Sequence, residues 1–447
     1  MKLWQKDYKL NKEIEKFTVG NDYLLDKELV KYDVLGSLAH TAMLNKINII
    51  NKDEFEKIKK VLLEILDLNK KKKFEIKQED EDVHTAVENY LTQRLGDSGK
   101  KIHTARSRND QILVDLRLYS KEKLLKLKKT LIGLVSNIID FAEKNKNIPI
   151  PGYTHTRKAM PSSVGLLFGA YAESLLDNFE LIDTSYKLNN QNPLGSAAGY
   201  GINLDIDRGL TTKLLGFDKV QNNALYVQNS RGKIESTIVF SLSKIMEDLA
   251  KFSNDLILFS TDEFGYFTLP DKFTTGSSLM PHKKNPDVLE LIRAKASAVQ
   301  ANLFQINSIT SKLISGYNRD LQLTKEPLIN SFKTTLSSTN IFNLIINKLT
   351  VNKENCIKAF DNSIFTTDQT IDSVKKGIPF REAYKKVAKN LTKIQKIDPI
   401  TNIQSKKNIG ATGNLGLNKL KLQLNKIKSN VSNQENDFKL IVKSLVG

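Results

Sequence analysis

The sequence predicts a mainly α-helical protein, with a central bundle of five long helices flanked by two smaller helical domains. Apolar residues recur every three or four positions over long stretches between about residues 108 and 350, as they do on one face of a helix. Alternating runs joined by hairpin turns, which would indicate strands, do not stand out. We therefore expect an N-terminal helical domain at 1–107, the central bundle at 108–355 and a C-terminal helical domain at 356–447.

The apolar stripes of the expected bundle helices follow one another along the chain. The first runs from Leu124 to Phe141 and the second from Val164 to Ile182. The third, from Ile234 to Phe259, keeps its spacing for about seven turns, roughly 40 Å at 1.5 Å per residue. The fourth helix follows residue 285, and the fifth lies around 328–349. Stripes of this kind interlock in helix bundles.

The fourth helix has an expected start and a face of small residues. Asn285 is expected to cap it, and Pro286 suits the first helical position. A ridge that would let another helix approach closely is formed by Ala294, Ala298 and Ala301.

Other bundle helices carry apolar residues beside their main stripes, as at Leu125, Ile132 and Val239. One bundle core would not cover all of these side chains. We therefore expect the protein to form oligomers through its helices.

The composition is that of a globular protein with an excess of basic residues. The 447 residues are 40% hydrophobic, and 68 Lys and Arg against 50 Asp and Glu give a net charge of +18. A basic surface attracts polyanions. However, the densest run, at 70–73, is balanced by the acids at 79–82, and the basic stretch at 419–428 contains no aromatic residue on which bases could stack. We therefore do not expect the protein to bind nucleic acid.

Cysteine content and hydropathy exclude further classes. Cys356 is the single cysteine, so neither an intramolecular disulfide nor a multi-cysteine metal site is possible. No apolar run approaches the roughly 18 residues of a membrane span. No apolar segment follows the first lysine near the N-terminus, so a signal peptide is not expected. These observations predict a cytoplasmic protein that is not bound to a membrane.

Two nucleotide-binding patterns fail when their spacing is checked. Residues 96–100 resemble a phosphate loop, but Arg94 stands where its first glycine belongs and Lys101 replaces Ser or Thr. The glycines at 195–201 do not give GxGxxG. The histidines show no metal-like spacing either. We therefore expect neither a nucleotide nor a metal cofactor.

Three polar strings lie at helix ends, where loops carry functional groups on a rigid scaffold. They read HTARSRNDQ at 103–111, PGYTHTRKAMP at 151–161 and GSSLMPHKKNPD at 276–287. Each alone would also fit an ordinary capped turn. Together they supply hydrogen-bond donors, cations, hydroxyls and a histidine but few acids, a combination that suits a polycarboxylate ligand.

The third string resembles the GSSxMPxKxNP signature of the fumarase/aspartase superfamily, whose members release fumarate by eliminating across a carbon–heteroatom bond. The first two strings are similar to those of argininosuccinate lyases rather than of fumarase, aspartase or adenylosuccinate lyase. Further matches are EDEDVHTAVE at 79–88, LGSAAGYG at 194–201, YNRDLQLTKE at 317–326 and KGIPFREAY at 376–384. The resemblance implies the superfamily's five-helix bundle and cleavage of argininosuccinate to arginine and fumarate, the last step of arginine biosynthesis, without a cofactor.

The resemblance also assigns the elimination chemistry. Ser277 is the expected proton-abstracting base, and its alkoxide would need backbone N–H groups and Lys283 to stabilise it. Lys283 and Asn285 suit the aci-carboxylate dianion that follows deprotonation. His155 is the expected general acid for the leaving nitrogen, oriented by the carboxylate of Glu290.

The remaining site residues follow from the same resemblance. Those expected to contact or neighbour the substrate are Ser107, Arg108, Asn109, Thr154, Tyr317, Gln322, Lys325, His84 and Arg231. Asp26 aligns with an acid near the arginine end of the substrate, where a carboxylate would meet a cation. Alternatively, Tyr317 is a packed aromatic residue and Asp26 a helix cap.

The family further implies a homotetramer in which each active site takes the three strings from three different chains. Two related alternatives are another fumarate-releasing lyase, such as adenylosuccinate lyase, and a non-catalytic relative like the lens crystallins. A basic nucleic-acid binder is an alternative of a different class, and it would bind polyanions with a strong salt dependence.

Overall fold

The computed structural model describes residues 11–447. The first ten residues, on which the expectation about a signal peptide rests, lie outside the described residues. The helices of the N-terminal region are α1 (Lys12–Val19), α2 (Asp22–Leu25), α3 (Val30–Lys46), α4 (Lys52–Lys70), α5 (Val83–Leu95) and α6 (Asp97–Lys100).

The central region contains five helices of 24 to 37 residues. In chain order its helices are α7 (Arg108–Lys144), α8 (Val164–Asn189), α9 (Arg208–Leu215), α10 (Ala224–Asn229), α11 (Lys233–Phe259), α12 (Asp287–Thr310) and α13 (Lys325–Lys348). The C-terminal helices are α14 (Lys353–Lys358), α15 (Thr366–Lys375), α16 (Phe380–Ala388), α17 (Pro399–Ser405) and α18 (Leu417–Val446).

Three two-stranded sheets and several short 3-10 helices connect the α-helices of the described residues. Their strands are β1 (Pro149–Thr154), β2 (Arg157–Ser163), β3 (Gln191–Asn192), β4 (Lys219–Val220), β5 (Phe267–Thr268) and β6 (Thr350–Val351). β1 pairs antiparallel with β2, and β5 with β6, whereas β3 and β4 are parallel.

The five long helices α7, α8, α11, α12 and α13 confirm the predicted bundle. α7 packs against α8 and α13, and α11 packs against α8, α12 and α13. The predicted stripe of α7 is buried, since Leu124, Leu131 and Ile138 have no exposed area. The three-four spacing therefore identified the core faces of α7, α8 and α11.

Aromatic rings from four of these helices meet in the bundle core. The ring of Phe168 on α8 lies 4.3 Å from that of Phe141 on α7 and 5.0 Å from that of Phe252 on α11. The ring of Phe342 on α13 follows at 5.1 Å from Phe252. These centroid distances are those of direct ring contact, so the rings stabilise the packing of the four helices.

The apolar residues expected to remain uncovered are mostly covered within the chain. Leu125 and Val239 are buried, so the expectation was wrong for them, because neighbouring helices contact more of each helix than one stripe. The exposed apolar face lies instead on α12, where Leu291 is 59% and Phe304 74% exposed. The alanine ridge of α12 is also exposed.

Two local expectations were also wrong. Asn285 does not cap α12, because its backbone pairs with Thr275 and its side-chain amide donates to the carbonyl of Gly276. The sequence did not reveal the β1–β2 hairpin, whose strands begin and end in residues such as Pro149 and Ser163 without clear alternation. The hairpin matters because its tip carries His155.

The last helix, α18, packs along α7 and α8. Its residues Leu417, Leu420, Leu424 and Phe438 join the same hydrophobic core as the bundle. The predicted domain bounds at 107 and 355 stay a prediction.

Candidate active site

A cavity of about 440 Å³ opens where the N-terminal region meets the first turns of α7 and α13. Most of the substrate-contact residues expected from the sequence line it, namely Asp26, His84, Arg108, Asn109, Arg231, Tyr317, Gln322 and Lys325. Three acids that the sequence did not identify also line it: Asp22, Glu81 and Asp82. The cavity thus holds acidic and basic groups side by side.

Buried ion pairs form one wall of this cavity. The Nζ atom of Lys325, the first residue of α13, lies 2.5 Å from a carboxylate oxygen of Asp26 and 3.2 Å from Asp22. The other Asp26 oxygen accepts from the backbone N–H of Val83 at 3.0 Å. Burial favours the neutral amine of Lys325, but the two acids outweigh it and raise the pKa of Lys325. Asp26 is also the C-cap residue of α2, but its side chain is bound to Lys325 and to the backbone of Val83.

Asp22 is the acid of this pair that can still reach a ligand. Asp26 has no exposed area and both of its oxygens are bonded, whereas the Asp22 side chain is 16% exposed. Burial and the neighbouring Asp26 raise the pKa of Asp22, while Lys325 opposes them. The sequence missed Asp22 because Asp26 was taken for the matching acid.

Arg108, the first residue of α7, forms a second wall. Its guanidinium group lies 3.0 Å from Glu81 and 3.2 Å from Asp82, and it donates to Thr85 at 2.8 Å. Ser107 caps α7, since its hydroxyl accepts from the N–H of Asn109 at 3.2 Å. Burial opposes the charge on Asp82, but its neighbours His84, Arg108 and Thr85 outweigh burial and lower its pKa.

Asp110 ties this helix start to the loop at 194–201. One of its oxygens accepts from the N–H of Ser107 at 2.9 Å, and the other accepts from Gly195 at 2.9 Å and Ala197 at 3.0 Å. Burial raises the pKa of Asp110 to about 6, although these N–H groups favour its charged form. Two strings singled out in the sequence are thus held together by one buried carboxyl group.

The mouth of the cavity is formed by the segment before α13. Tyr317 is partly exposed, and the guanidinium of Arg231 lies 5.7 Å from the centre of its ring. The side-chain amide of Gln322 donates to the carbonyls of Thr18 at 3.1 Å and Val19 at 3.3 Å. The structure therefore gives Gln322 the additional task of holding the end of α1 against the cavity.

His84 lies deeper, on α5, beside two acids that the sequence did not identify. Its Nδ1 atom is 2.6 Å from Asp33 on α3 and 3.8 Å from Asp115 on α7. A signal was present in hindsight, because both acids interrupt the apolar, buried faces of long helices. Atoms of these three side chains that could bind a metal ion all lie within 4.8 Å of one another. However, the Nδ1 atom of His84 is already hydrogen-bonded to Asp33.

The signature string forms an exposed loop before α12. The loop is closed at its base by backbone hydrogen bonds of 3.2 and 2.8 Å between Thr275 and Asn285. Within it, the hydroxyl of Ser277 accepts from the N–H groups of Leu279 at 3.2 Å and Met280 at 3.1 Å. Lys283 is exposed to solvent.

His155 lies at the tip of the β1–β2 hairpin. Thr154 pairs with Arg157, and the two residues between them, His155 and Thr156, have φ angles of 52° and 59°. This left-handed conformation is unfavourable for a β-branched residue such as Thr156. Strain of this kind is found at functional sites, and here it presents an exposed imidazole.

Within one chain, the predicted elimination residues do not line the cavity, and His155 is not paired with Glu290. Between residues 11 and 447, no hydrogen bond or ion pair joins His155 to Glu290, which lies exposed on α12. Ser277, Lys283 and Asn285 are absent from the cavity wall, as are Ser107 and Thr154. The chain thus presents three separate parts of a site: the cavity, the signature loop and the hairpin tip.

The chain is similar in sequence to known proteins. A family model described as a lyase matches residues 8–301. Over 387 residues the chain is 45% identical to a protein of Thermotoga neapolitana named argininosuccinate lyase, covering 87% of this chain and 97% of that relative.

Two solved structures have a similar fold. EDDS lyase in complex with formate superposes with a TM-score of 0.83 at 22% identity, covering 98% of this chain and 95% of that one. Class II fumarase from Schistosoma mansoni superposes with a TM-score of 0.71 at 18% identity, covering 86% and 94%. These similarities confirm the predicted bundle fold.

Proposed function

The chain belongs to the argininosuccinate lyase family, and on that premise we propose that it cleaves argininosuccinate to arginine and fumarate by β-elimination through an aci-carboxylate carbanion. The observation that carries the proposal is the cavity, because it places acids beside cations. An amino-acid end, with one ammonium and one carboxylate group, needs charges of both signs. A fumarase substrate has no ammonium group and would give Asp22 and Asp26 no such task.

The cavity is proposed to hold the arginine end of the substrate. Asp22 would accept from the α-ammonium group, while Asp26 acts through Lys325, whose charge it holds in place. Arg231 and Lys325 would bind the α-carboxylate. Charge-assisted hydrogen bonds of this kind fix both affinity and orientation.

The signature loop is proposed to perform the elimination. Ser277 would remove the proton, and the N–H groups of Leu279 and Met280 already point at its oxygen, where they would stabilise the alkoxide. Lys283 and Asn285 would bind the carboxylate into which the negative charge spreads. Lys283 is free to reach a ligand because it lies exposed on the loop.

His155 is proposed to protonate the departing nitrogen, with Glu290 orienting it. Since the two are not paired within one chain, a neighbouring subunit must bring them together. We therefore propose a homotetramer that assembles each site from three chains. The exposed Leu291, Phe304 and alanine ridge of α12 support this assembly, because apolar area of this kind is normally covered.

The alternatives lack such support. Adenylosuccinate would need a site for a purine and a phosphate, and the cavity is instead lined by acids and bases suited to an amino acid. A non-catalytic relative would have no need of the hydroxyl geometry at Ser277.

The sequence led to expectations about membranes, cellular location and nucleic-acid binding, and the structure bears only on the first. No helix in the described part of the chain is long and apolar enough to cross a bilayer. The cytoplasmic location and the absence of nucleic-acid binding stay predictions from the sequence.

Product analysis tests the proposed reaction. Purified protein incubated with argininosuccinate should release arginine and fumarate in equal amounts, quantified by amino-acid analysis and ultraviolet absorbance. Adenylosuccinate at the same concentration serves as the control and should remain intact. Fumarate from adenylosuccinate, or unequal products from argininosuccinate, would contradict the proposal.

A further inference from the structure

A buried cluster of three ionisable groups lies beneath the cavity. His84 lines the cavity on one side, and on the other its Nδ1 atom is 2.6 Å from Asp33 and 3.8 Å from Asp115. Their side chains are 5%, 2% and 1% exposed. Because Nδ1 is engaged inside the protein, Nε2 is the nitrogen left for the cavity.

The two acids are similarly buried but are not equivalent. Asp33 accepts the hydrogen bond from the imidazole, whereas both oxygens of Asp115 are buried without a hydrogen-bond partner within residues 11–447. An ionised carboxylate without partners is very costly to bury. Burial and the charges of Asp33 and Asp26 raise the pKa of Asp115 well above its usual range, although Arg106 and Lys325 oppose them.

Three acids from separate segments of the chain act on His84. Burial disfavours the imidazolium, but the hydrogen bond and charge of Asp33, followed by Asp82 and Asp26, outweigh burial and raise the pKa of His84. Among the cations, Arg106 and Lys325 act on the neighbouring Asp115, and Arg108 is bound to Asp82.

We propose that Asp33 is a positioning residue that holds His84 as an imidazolium with its Nε2–H directed into the cavity, where it binds the α-carboxylate of the arginine end of the substrate, and that Asp115 stays neutral. The proposal rests on the proposed function for the identity of the ligand, but the charge state of the cluster does not depend on it. His84 is then a fixed cation and not a base, which separates its task from that of His155.

The charge state can be measured in the unmodified protein. Histidine labelled with ¹³C at Cε1 gives one NMR signal for each of the five histidines, and His84→Gln assigns the signal of His84. His84 should remain an imidazolium well above about pH 6.5, the usual midpoint of a histidine side chain. A His84 signal that titrates at or below that pH would overturn the proposal, whether or not the protein cleaves argininosuccinate.

A matched pair of variants separates the roles of the two acids. Asp33→Asn should lower the titration midpoint of His84 and weaken L-arginine binding roughly 10- to 100-fold at neutral pH, because a charge-assisted hydrogen bond is lost. Part of that affinity should return at acidic pH, which a merely structural role would not produce. Asp115→Asn should leave both quantities close to wild type, because it replaces a neutral group by a neutral group of the same shape. Equal effects of the two substitutions would overturn the assignment.

Agmatine, which is arginine without its carboxylate, identifies the ligand group. Asp33→Asn should weaken arginine binding, measured by calorimetry, while agmatine binding changes little. Equal weakening of both would overturn the assignment of the carboxylate. If His84 titrates as expected but the wild-type protein does not bind arginine, the result would instead count against the proposed function. Loss of activity in EDTA, restored by a divalent metal ion alone, would also overturn the proposal, since the three groups would then be metal ligands.

Discussion

The carboxylate of Asp26 accepts a 2.5 Å hydrogen bond from the ammonium group of Lys325, a residue 299 positions further along the chain. Both side chains are almost completely buried. The contact joins the turn after α2 to the first residue of α13, so the cavity wall exists only when the N-terminal region is docked on the bundle. The arginine end of the proposed site is therefore a product of tertiary structure.

Breaking this pair should destabilise the protein. Asp26→Asn leaves the Lys325 charge buried with only Asp22 beside it, and we expect the free energy of unfolding to fall by about 3 kcal/mol. The matched control is Glu28→Gln, which breaks partly exposed pairs with Lys333 and Lys123 and should cost about 1 kcal/mol or less. Chemical unfolding of both variants checks this. Similar losses in the two would show that the buried pair is not special.

Removing the proposed base should abolish elimination without abolishing binding. Ser277→Ala should lower kcat by about 10³-fold or more, since the N–H groups of Leu279 and Met280 would have no alkoxide to stabilise. Ser278→Ala, one residue away on the same loop, is the control and should retain most activity. Steady-state kinetics with argininosuccinate decides between them. A larger loss in Ser278→Ala would move the assignment to the second serine.

The separation of His155 from Ser277 predicts complementation between inactive variants. When His155→Gln and Ser277→Ala chains are mixed, refolded together and purified as mixed tetramers, some sites should receive both intact residues and activity should return. Each variant treated alone is the control and should remain inactive. Verified mixed tetramers that stay inactive would count against sites shared between chains.

Asp110 should make stability depend on pH. Its folded-state pKa of about 6 lies above the 3.8 of an unperturbed aspartic acid, so the native state binds the proton more readily than the unfolded chain. The resulting stabilisation, about 3 kcal/mol, is complete below about pH 4 and is lost as the pH rises through about 6. Asp110→Asn removes this titration. The free energy of unfolding of the wild type, relative to that of the variant, should therefore fall as the pH rises through this window. A difference that does not change with pH would contradict the account.

The bundle could be predicted from the sequence because an apolar helix stripe depends only on residues that are close together in the chain. The stripe from Leu124 to Phe141 needs only the spacing of neighbouring residues to be recognised, and it is buried as expected. The β1–β2 hairpin was not accessible, since its turn at His155 and Thr156 lacks the glycine or asparagine that usually marks such turns.

The site could be predicted from the sequence only in part, because most of its contacts join distant segments. Resemblance identified Lys325, Arg108 and other residues that line the cavity, but their partners are set by contacts between distant segments. Asp33 and Asp115 were missed because an acid on a helix is normally taken for a solvent-facing residue, and only the packed structure places them beside His84.

The measurement that tests the central claim most directly is fumarate release, followed by ultraviolet absorbance, from argininosuccinate and separately from adenylosuccinate, aspartate and malate. The account predicts release from argininosuccinate alone, because only that substrate places an amino-acid end against Asp22 and Lys325 while its succinyl group reaches the signature loop. Release from one of the other three would contradict the assigned specificity. Silence on all four from folded tetramers would contradict the proposed reaction itself.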